Sequence, residues 1–242
     1  MKKIVIAYHG YMFGRSYMTM MTDQFRKLLN TGLFAASDKM YIGFITHPSM
    51  NPPWGQQWIR DFWKFTSSKQ ENNPVTKVEI VFYPRNDELR DTLRWIRDYS
   101  TDNPEDYILF LHTKGITHGL KPAIEDWRRY MEYFVVEKWQ DCVAKLDEGY
   151  DCCGVLWNTD TPIGIHPHFS GAFYWAKASY INTLDHGFID SEWRYNMEFW
   201  IGSNPNARVF EFHNSRMNDR ESLITARGHY DVVYPRSNYE KK

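Results

Sequence analysis

The segment Asp106–Gly115, DYILFLHTKG, constrains the fold more than any other, because an apolar run stops abruptly in His-Thr-Lys-Gly. Such a run predicts a buried strand. In an open α/β sheet, ligands bind just beyond the carboxyl ends of the strands. His112, Thr113 and Lys114 are therefore expected where chemistry sits, and Gly115 admits a sharp turn or the close approach of a ligand. The competing reading is a polar strand end that simply meets solvent.

The rest of the chain alternates in the same way. Lys3–Ala7 predicts a first strand ending at Tyr8, His9 and Gly10. Met18, Met21, Phe25, Leu28 and Leu29 then follow at helical spacing, with Gly32 as the stop. Met40–Ile45 and Val78–Tyr83 read as the next strands. Between them lie a loop at Pro48–Pro53 and a short helix carrying Trp58, Phe62, Trp63 and Phe65. Asp87–Tyr99 predicts a helix with Leu89, Leu93 and Ile96 on one face. Beyond Gly115 one long amphipathic helix is expected, its stripe running from Trp127 through Tyr130, Met131, Trp139 and Cys142 to Leu146, with Gly149 closing it. Strands are expected at Cys152–Trp157, Phe173–Ala176 and Arg208–His213, and helices at Ala178–Leu184 and Trp193–Ile201. The tail from Asn214 carries little periodicity. This alternation predicts an α/β fold, with a mostly parallel central sheet and helices on both faces. No repeat or linker interrupts it, so residues 1–242 are expected to form a single domain.

Composition excludes several functions. With 29 basic and 30 acidic residues, the net charge of −1 gives no support to nucleic-acid or membrane-surface binding. Three cysteines provide no disulfide framework. The opening MKKIVIAYHG has too short an apolar run for a signal peptide, and no segment reaches membrane-spanning length. The expectation is a soluble, cytoplasmic protein. Aromatics at 17% suit a protein that lays rings against sugars or bases, although a ring-rich core accounts for most of them. Neither GxGxxG nor GxxxxGK[ST] occurs, so a dinucleotide fingerprint and a P-loop are both unsupported.

Eight segments carry a family resemblance. They are Phe25–Leu33 (FRKLLNTGL), Asp87–Leu93 (DELRDTL), Tyr107–Gly115 (YILFLHTKG), Asp126–Tyr133 (DWRRYMEY), Tyr150–Trp157 (YDCCGVLW), His168–Tyr180 (HFSGAFYWAKASY), Met197–Ile201 (MEFWI) and Phe212–Ser215 (FHNS). In order and spacing the chain resembles small GT-A-type glycosyltransferases of bacterial and viral polysaccharide-building clusters. The resemblance implies a GT-A-like, Rossmann-like domain, with residues 1–120 as the nucleotide-binding half and 121–242 as the acceptor and catalytic half. It also implies a nucleotide-sugar donor and a glycan acceptor.

One departure matters. GT-A enzymes usually carry Asp-x-Asp to hold a metal on the donor diphosphate, and this chain contains none; Asp190-Ser191-Glu192 lies far downstream. The charge that develops on a departing diphosphate must still be met by a cation. Lys114 can supply it, or His112 and His213 can help hold a metal, imidazole suiting Mn or Zn rather than Mg. The cofactor thus stays open between Mn²⁺ or Mg²⁺ and a metal-independent site. A zinc site built on His166 and His168 lacks partners at finger spacing.

The donor is expected at Tyr8, His9, His112, Thr113, Lys114, Arg128, Ser170, Gly171 and His213. Arg128 and Arg129 fall off the apolar stripe of their helix, as solvated arginines also would. The Ser170-Gly171 turn lets backbone approach a ligand, while His168 and Trp175 can bind or stack on sugar. Inverting transfer needs a carboxylate to take the acceptor's proton. Glu198 matches the family position, with Glu192, Asp190 and Asp160 as rivals. The alternative to an enzyme is a catalytically inactive relative that binds glycans or a partner, and a weaker one is a His-metal hydrolase acting on carbohydrate.

Overall fold

The computed structural model describes residues 2–12, 16–45, 57–62, 77–84, 87–159, 166–217 and 227–240. The expected loop at Pro48–Pro53, the Trp63 and Phe65 positions and the rival base Asp160 lie outside them.

Strand β1 (Ile4–Tyr11) shows why the chain layers as it does. Alternate side chains of a strand point to opposite faces. Ile6 and Tyr8 enter one core, while Val5 and Ala7 enter another. Strand β4 (Tyr107–His112) repeats the pattern, with Leu109 and Leu111 on the first face and Ile108 and Phe110 on the second. A strand buried on both faces needs apolar residues at every position, hence the unbroken runs in the sequence.

Helix α1 (Ser16–Asn30) covers the first face through Met20, Met21, Phe25 and Leu28 and ends at Gly32, after which comes the short α2 (Leu33–Ala36). Strand β2 (Lys39–Ile45), a helical segment at 57–62 (α3) and strand β3 (Val78–Tyr83) follow. Helix α4 (Arg90–Asp102) then packs Leu93 and Ile96 onto the second face. It starts three residues later than the pattern predicts, because Glu88 sits at φ +55°.

The single long helix expected after Gly115 is divided. Helix α5 (Pro122–Glu132) runs into a π-helical turn (Tyr133–Glu137), and α6 (Trp139–Asp147) begins beyond a break at Lys138. The wide turn keeps Tyr130, Val135, Cys142 and Leu146 all buried on one core despite their uneven spacing.

The last third is built from short pieces: β5 (Cys152–Gly154), β6 (Trp157–Asn158), β7 (His168–Phe169), β8 (Tyr174–Lys177), α7 (Ala178–Ile181), α8 (Gly187–Asp190), α9 (Asn196–Phe199) and β9 (Val209–Glu211). The strand expected at Cys152–Trp157 is interrupted at Leu156, whose φ is +59°.

Among the described residues, one seven-stranded sheet has the order β3-β2-β1-β4-β8-β5-β9. β8 runs against both neighbours and the other strands are mutually parallel. The architecture is therefore α/β and Rossmann-like, with helices on both faces. No described helix is long and apolar enough to cross a membrane.

One buried polar network fastens α5 to α1 and to the sheet. Arg128, fully buried, donates to Glu132 at 2.5 Å and to Asp23 and Glu125 at 2.9 Å each. Glu132 also receives Lys27 Nζ at 2.6 Å and Gln24 Nε2 at 2.9 Å. Gln24 in turn accepts the Tyr8 hydroxyl at 2.7 Å and reaches the His112 carbonyl at 3.2 Å. Burial alone would raise the pKa of Glu132, but Arg128 and Lys27 hold it below the usual carboxylate range. Removing one partner of such a pair strands the others. Glu132→Ala should therefore cost about 3 kcal/mol in urea unfolding, whereas the Arg128→Met/Glu132→Leu double variant should lose far less.

Candidate active site

The strand order fixes where a site can form. β1 is flanked by β2 on one side and β4 on the other, so the chain reverses direction across the sheet between β1 and β4, the crevice where ligands of open α/β sheets bind. A cavity of about 800 Å³ lies there, within the usual range for small-molecule sites. Its walls come from the carboxyl ends of β1, β2 and β4, the turn before α4, the segment Arg194–Glu198 and Tyr230 of the C-terminal segment.

At the end of β1 the alternation separates the two residues expected to act together. His9 follows Ala7 to the α4 face, lines the cavity and bonds the Thr92 hydroxyl through Nδ1 at 2.8 Å. Burial pushes its pKa down to about 3. Tyr8 points the other way, into the core beside Phe25, with its hydroxyl on Gln24. The expectation that Tyr8 binds donor is corrected on this point: the tyrosine that β1 presents to the cavity is Tyr11.

The HTKG segment is delivered as the sequence predicts. His112 pairs in register with His9 across β1 and β4, and its Nε2 donates to the Gly171 carbonyl at 2.9 Å. Burial, then the Lys114 charge, push its pKa down to about 3 against that bond. The ring is therefore neutral with its lone pair on Nδ1. Thr113 lines the cavity, and its hydroxyl accepts the Tyr11 N–H at 2.9 Å. Gly115, at φ +80°, makes the sharp turn, and a Cβ there would lie 2.1 Å from Ile124 Cγ2.

Lys114 is 7% exposed and lines the cavity. Its ammonium lies 4.3 Å from the Trp127 ring centroid and 5.6 Å from that of Tyr230, whose hydroxyl is 3.4 Å away. Among the described residues it has no carboxylate partner within 4.0 Å. Aromatic faces compensate a cation only in part, and a buried charge ordinarily requires a counter-ion.

Glu198 lines the same cavity, half-buried, and among the described residues its carboxylate has neither a hydrogen bond nor an ion pair. The imidazole of His168 is near enough to feel both Glu198 and Lys114. Burial lowers its pKa, opposed by its bond to the His166 carbonyl and by Glu198. His168 donates through Nδ1 to that carbonyl at 3.0 Å, so Nε2 carries the lone pair. Of the rivals to Glu198, Asp190 is held by Arg94 and Glu192 is exposed, and neither lines the cavity.

Several expected site residues are placed elsewhere. Arg128 is neither a solvated surface arginine nor a wall of this cavity, because the carboxylates around it take its donors. Ser170 and Gly171 form the expected turn, with Gly171 at φ +96°, but the close approach is to protein: a Cβ there would lie 2.5 Å from Met131 Sδ. Trp175 is fully buried and donates to the Val135 carbonyl, so it cannot stack on a sugar. His213 packs on Phe134 and exchanges hydrogen bonds with Tyr130 away from the cavity wall.

Of the two imidazoles expected as possible metal ligands, His112 has Nε2 on the Gly171 carbonyl and His213 has Nδ1 on the Tyr130 hydroxyl. Among the described residues no cluster of three or more His, Cys, Asp or Glu is placed to hold a metal ion. The donor set at the end of β4, one imidazole and one ammonium, does not fit a divalent cation on a diphosphate.

Sequence reasoning missed Tyr230, Tyr11, Glu88 and Arg194. Tyr230 arrives on an aperiodic segment fixed by tertiary stacking: the next residue inward, His229, is fully buried between the rings of Trp127 and Tyr130, at 5.4 and 5.6 Å. Only the density of aromatics around residues 229–239 hinted that this tail packs against something.

Residues 54–188 match the family described as Domain of unknown function (DUF8361), more than half of the chain, and the chain belongs to that family. No curated protein matches it.

Three buried neutral histidines set an acid limit on stability. His9 and His112 sit at about 3 and His229 at about 4, each from an ordinary value of 6.5. Above that value both folded and unfolded chains hold neutral rings. Below it the unfolded chain gains protons that the folded chain refuses, so stability falls by about 1.4 kcal/mol per pH unit per ring. The melting temperature should be level from pH 8 to 7 and drop steeply between pH 6 and 5, before carboxylates titrate. A level profile down to pH 5, followed by circular dichroism, would contradict these assignments.

Proposed function

We propose that this chain is a glycosyltransferase that moves a sugar from a nucleoside-diphosphate donor to a glycan acceptor, with the cavity at the β1–β4 switch point as its active site. The observation that carries this reading is Lys114, a buried ammonium with no carboxylate partner among the described residues, lining one cavity with Glu198, which has no hydrogen bond or ion pair among them. A site holding an ammonium and a carboxylate that are each outside any ion pair among the described residues suits a reaction that creates negative charge at one point and releases a proton at another.

The bonds balance without further reagents. An acceptor hydroxyl oxygen bonds to the anomeric carbon while its proton passes to a Glu198 oxygen. The bond from the anomeric carbon to the diphosphate oxygen breaks, and its electron pair leaves with the diphosphate. Lys114 meets that charge as it forms, and Glu198 later returns its proton to water. His112 contributes a lone pair at Nδ1 that can orient a donor hydroxyl. The cation usually supplied by a metal between two carboxylates is here a side chain, in keeping with the missing Asp-x-Asp. We place the protein in the cytoplasm, where its three free, buried cysteines would stay reduced.

A nucleotide sugar at 100 times its dissociation constant should stabilise the protein by about 2.7 kcal/mol, or roughly 5–10 °C in melting temperature. The shift from one of the UDP-, GDP- or dTDP-sugars should survive EDTA and vanish in Lys114→Met. No shift with any donor would instead favour a catalytically silent glycan- or partner-binding relative.

Glu198→Gln should keep the donor-induced shift and lose transfer by about 10²–10⁴-fold. Wild-type transfer rates in that variant would remove the base assignment.

A further inference from the structure

The rim of the cavity carries a second feature that the transfer chemistry does not use. Trp193 and Tyr195 are 45% and 46% exposed, although aromatic rings of this size bury most of their surface elsewhere in the protein. Their centroids are 5.8 Å apart with planes at 69°. Trp193 is fixed from beneath by Phe199 at 5.6 Å, and Phe199 packs on His168 at 4.6 Å. The shelf is therefore seated on the same residues that surround Glu198.

Its position is set by the backbone. The Glu198 N–H donates to the Tyr195 carbonyl at 3.0 Å, one turn apart, and both side chains line the cavity. Arg194 lies between the two rings in sequence, with its guanidinium 5.2 Å from the Tyr195 centroid. It also reaches Glu88 on the opposite wall at 3.5 Å. Arg194 is exposed and Glu88 half-buried, and a pair at that distance with one solvated partner contributes little.

From this arrangement we infer that Tyr195, which lines the cavity, with Trp193 set edge-on beside it, forms the acceptor subsite, a shelf on which one face of a pyranose stacks while its hydroxyl is delivered to Glu198. The inference rests on the glycosyltransferase reading and names the residues that would select its acceptor. A pyranose has an apolar C–H face bordered by hydroxyls. The shelf offers the matching surfaces: the half-exposed Tyr195 ring for the face, Trp193 as its side wall, and the Glu198 carboxylate and Arg194 guanidinium for the rim. A partner protein would need a broader apolar patch than two rings.

Saturation-transfer NMR on the full chain tests this with methyl β-glycosides of glucose, galactose, mannose and N-acetylglucosamine. At least one should show transfer to its ring C–H protons. That signal should weaken about tenfold in Trp193→Ala and in Tyr195→Ala and persist in Tyr195→Phe. Both positions are exposed, so unchanged melting temperatures would verify that the variants fold. Absence of signal from every glycoside, or a signal indifferent to both alanine variants, would overturn the subsite. Donor-induced stabilisation, measured on the same samples, separates the two ideas. If it is retained while the glycoside signal ignores the variants, the shelf alone fails. If it is absent while the signal depends on the shelf, the sugar-binding surface stands and the transfer reading fails.

Discussion

The structure depends on one buried polar knot, the Arg128–Glu132 pair with Gln24 at its edge. Taking a guanidinium and a carboxylate out of water is costly, and geometry offsets that cost only if nearly every donor and acceptor is used. Here they are: Asp23, Glu125 and Lys27 close the outer sides, and Gln24 turns the remaining capacity toward the Tyr8 hydroxyl and the His112 carbonyl. The knot therefore does more than pin α5 to α1. It fixes the ends of β1 and β4, and with them the residues that border the cavity.

The contrast with the cavity is informative. In the knot, charges are matched and satisfied. A few residues away, Lys114 is left to the faces of Trp127 and Tyr230, and Glu198 has no partner among the described residues. A protein able to satisfy one buried arginine so fully has no structural need for an unmatched lysine. That asymmetry, more than any motif, is the ground for proposing that the cavity receives a charged ligand.

Much of this was legible in the sequence, for identifiable reasons. Strands β1 to β4 and helices α1 and α4 follow from apolar runs and helical spacing, since doubly buried strands tolerate no polar interruption. HTKG was readable as a site because a buried strand rarely ends in a lysine without cause. Glu198 was placed only through resemblance, and it does line the cavity. The errors share one origin. Tyr8, Trp175 and Arg128 were judged by residue type, but which face of a strand or helix each occupies, and which neighbours meet it, depends on packing. The division of α5 from α6 and the breaks at Glu88 and Leu156 are likewise local departures, held by tertiary contacts rather than by propensity.

The sequence by itself determined the layered α/β plan, because period-2 and period-3.6 patterning record which faces must leave water. It also determined that a cation and a histidine end the fourth strand. Only the tertiary structure decided that Glu198 would line the same cavity as that cation, that Arg128 would be consumed in the core, and that an aperiodic tail would bring Tyr230 over Lys114. The first and last are meetings between residues about 80 to 120 positions apart, and Arg128 joins its helical neighbours Glu125 and Glu132 to Asp23, 105 positions away; packing sets these meetings, and no local pattern encodes the long-range ones.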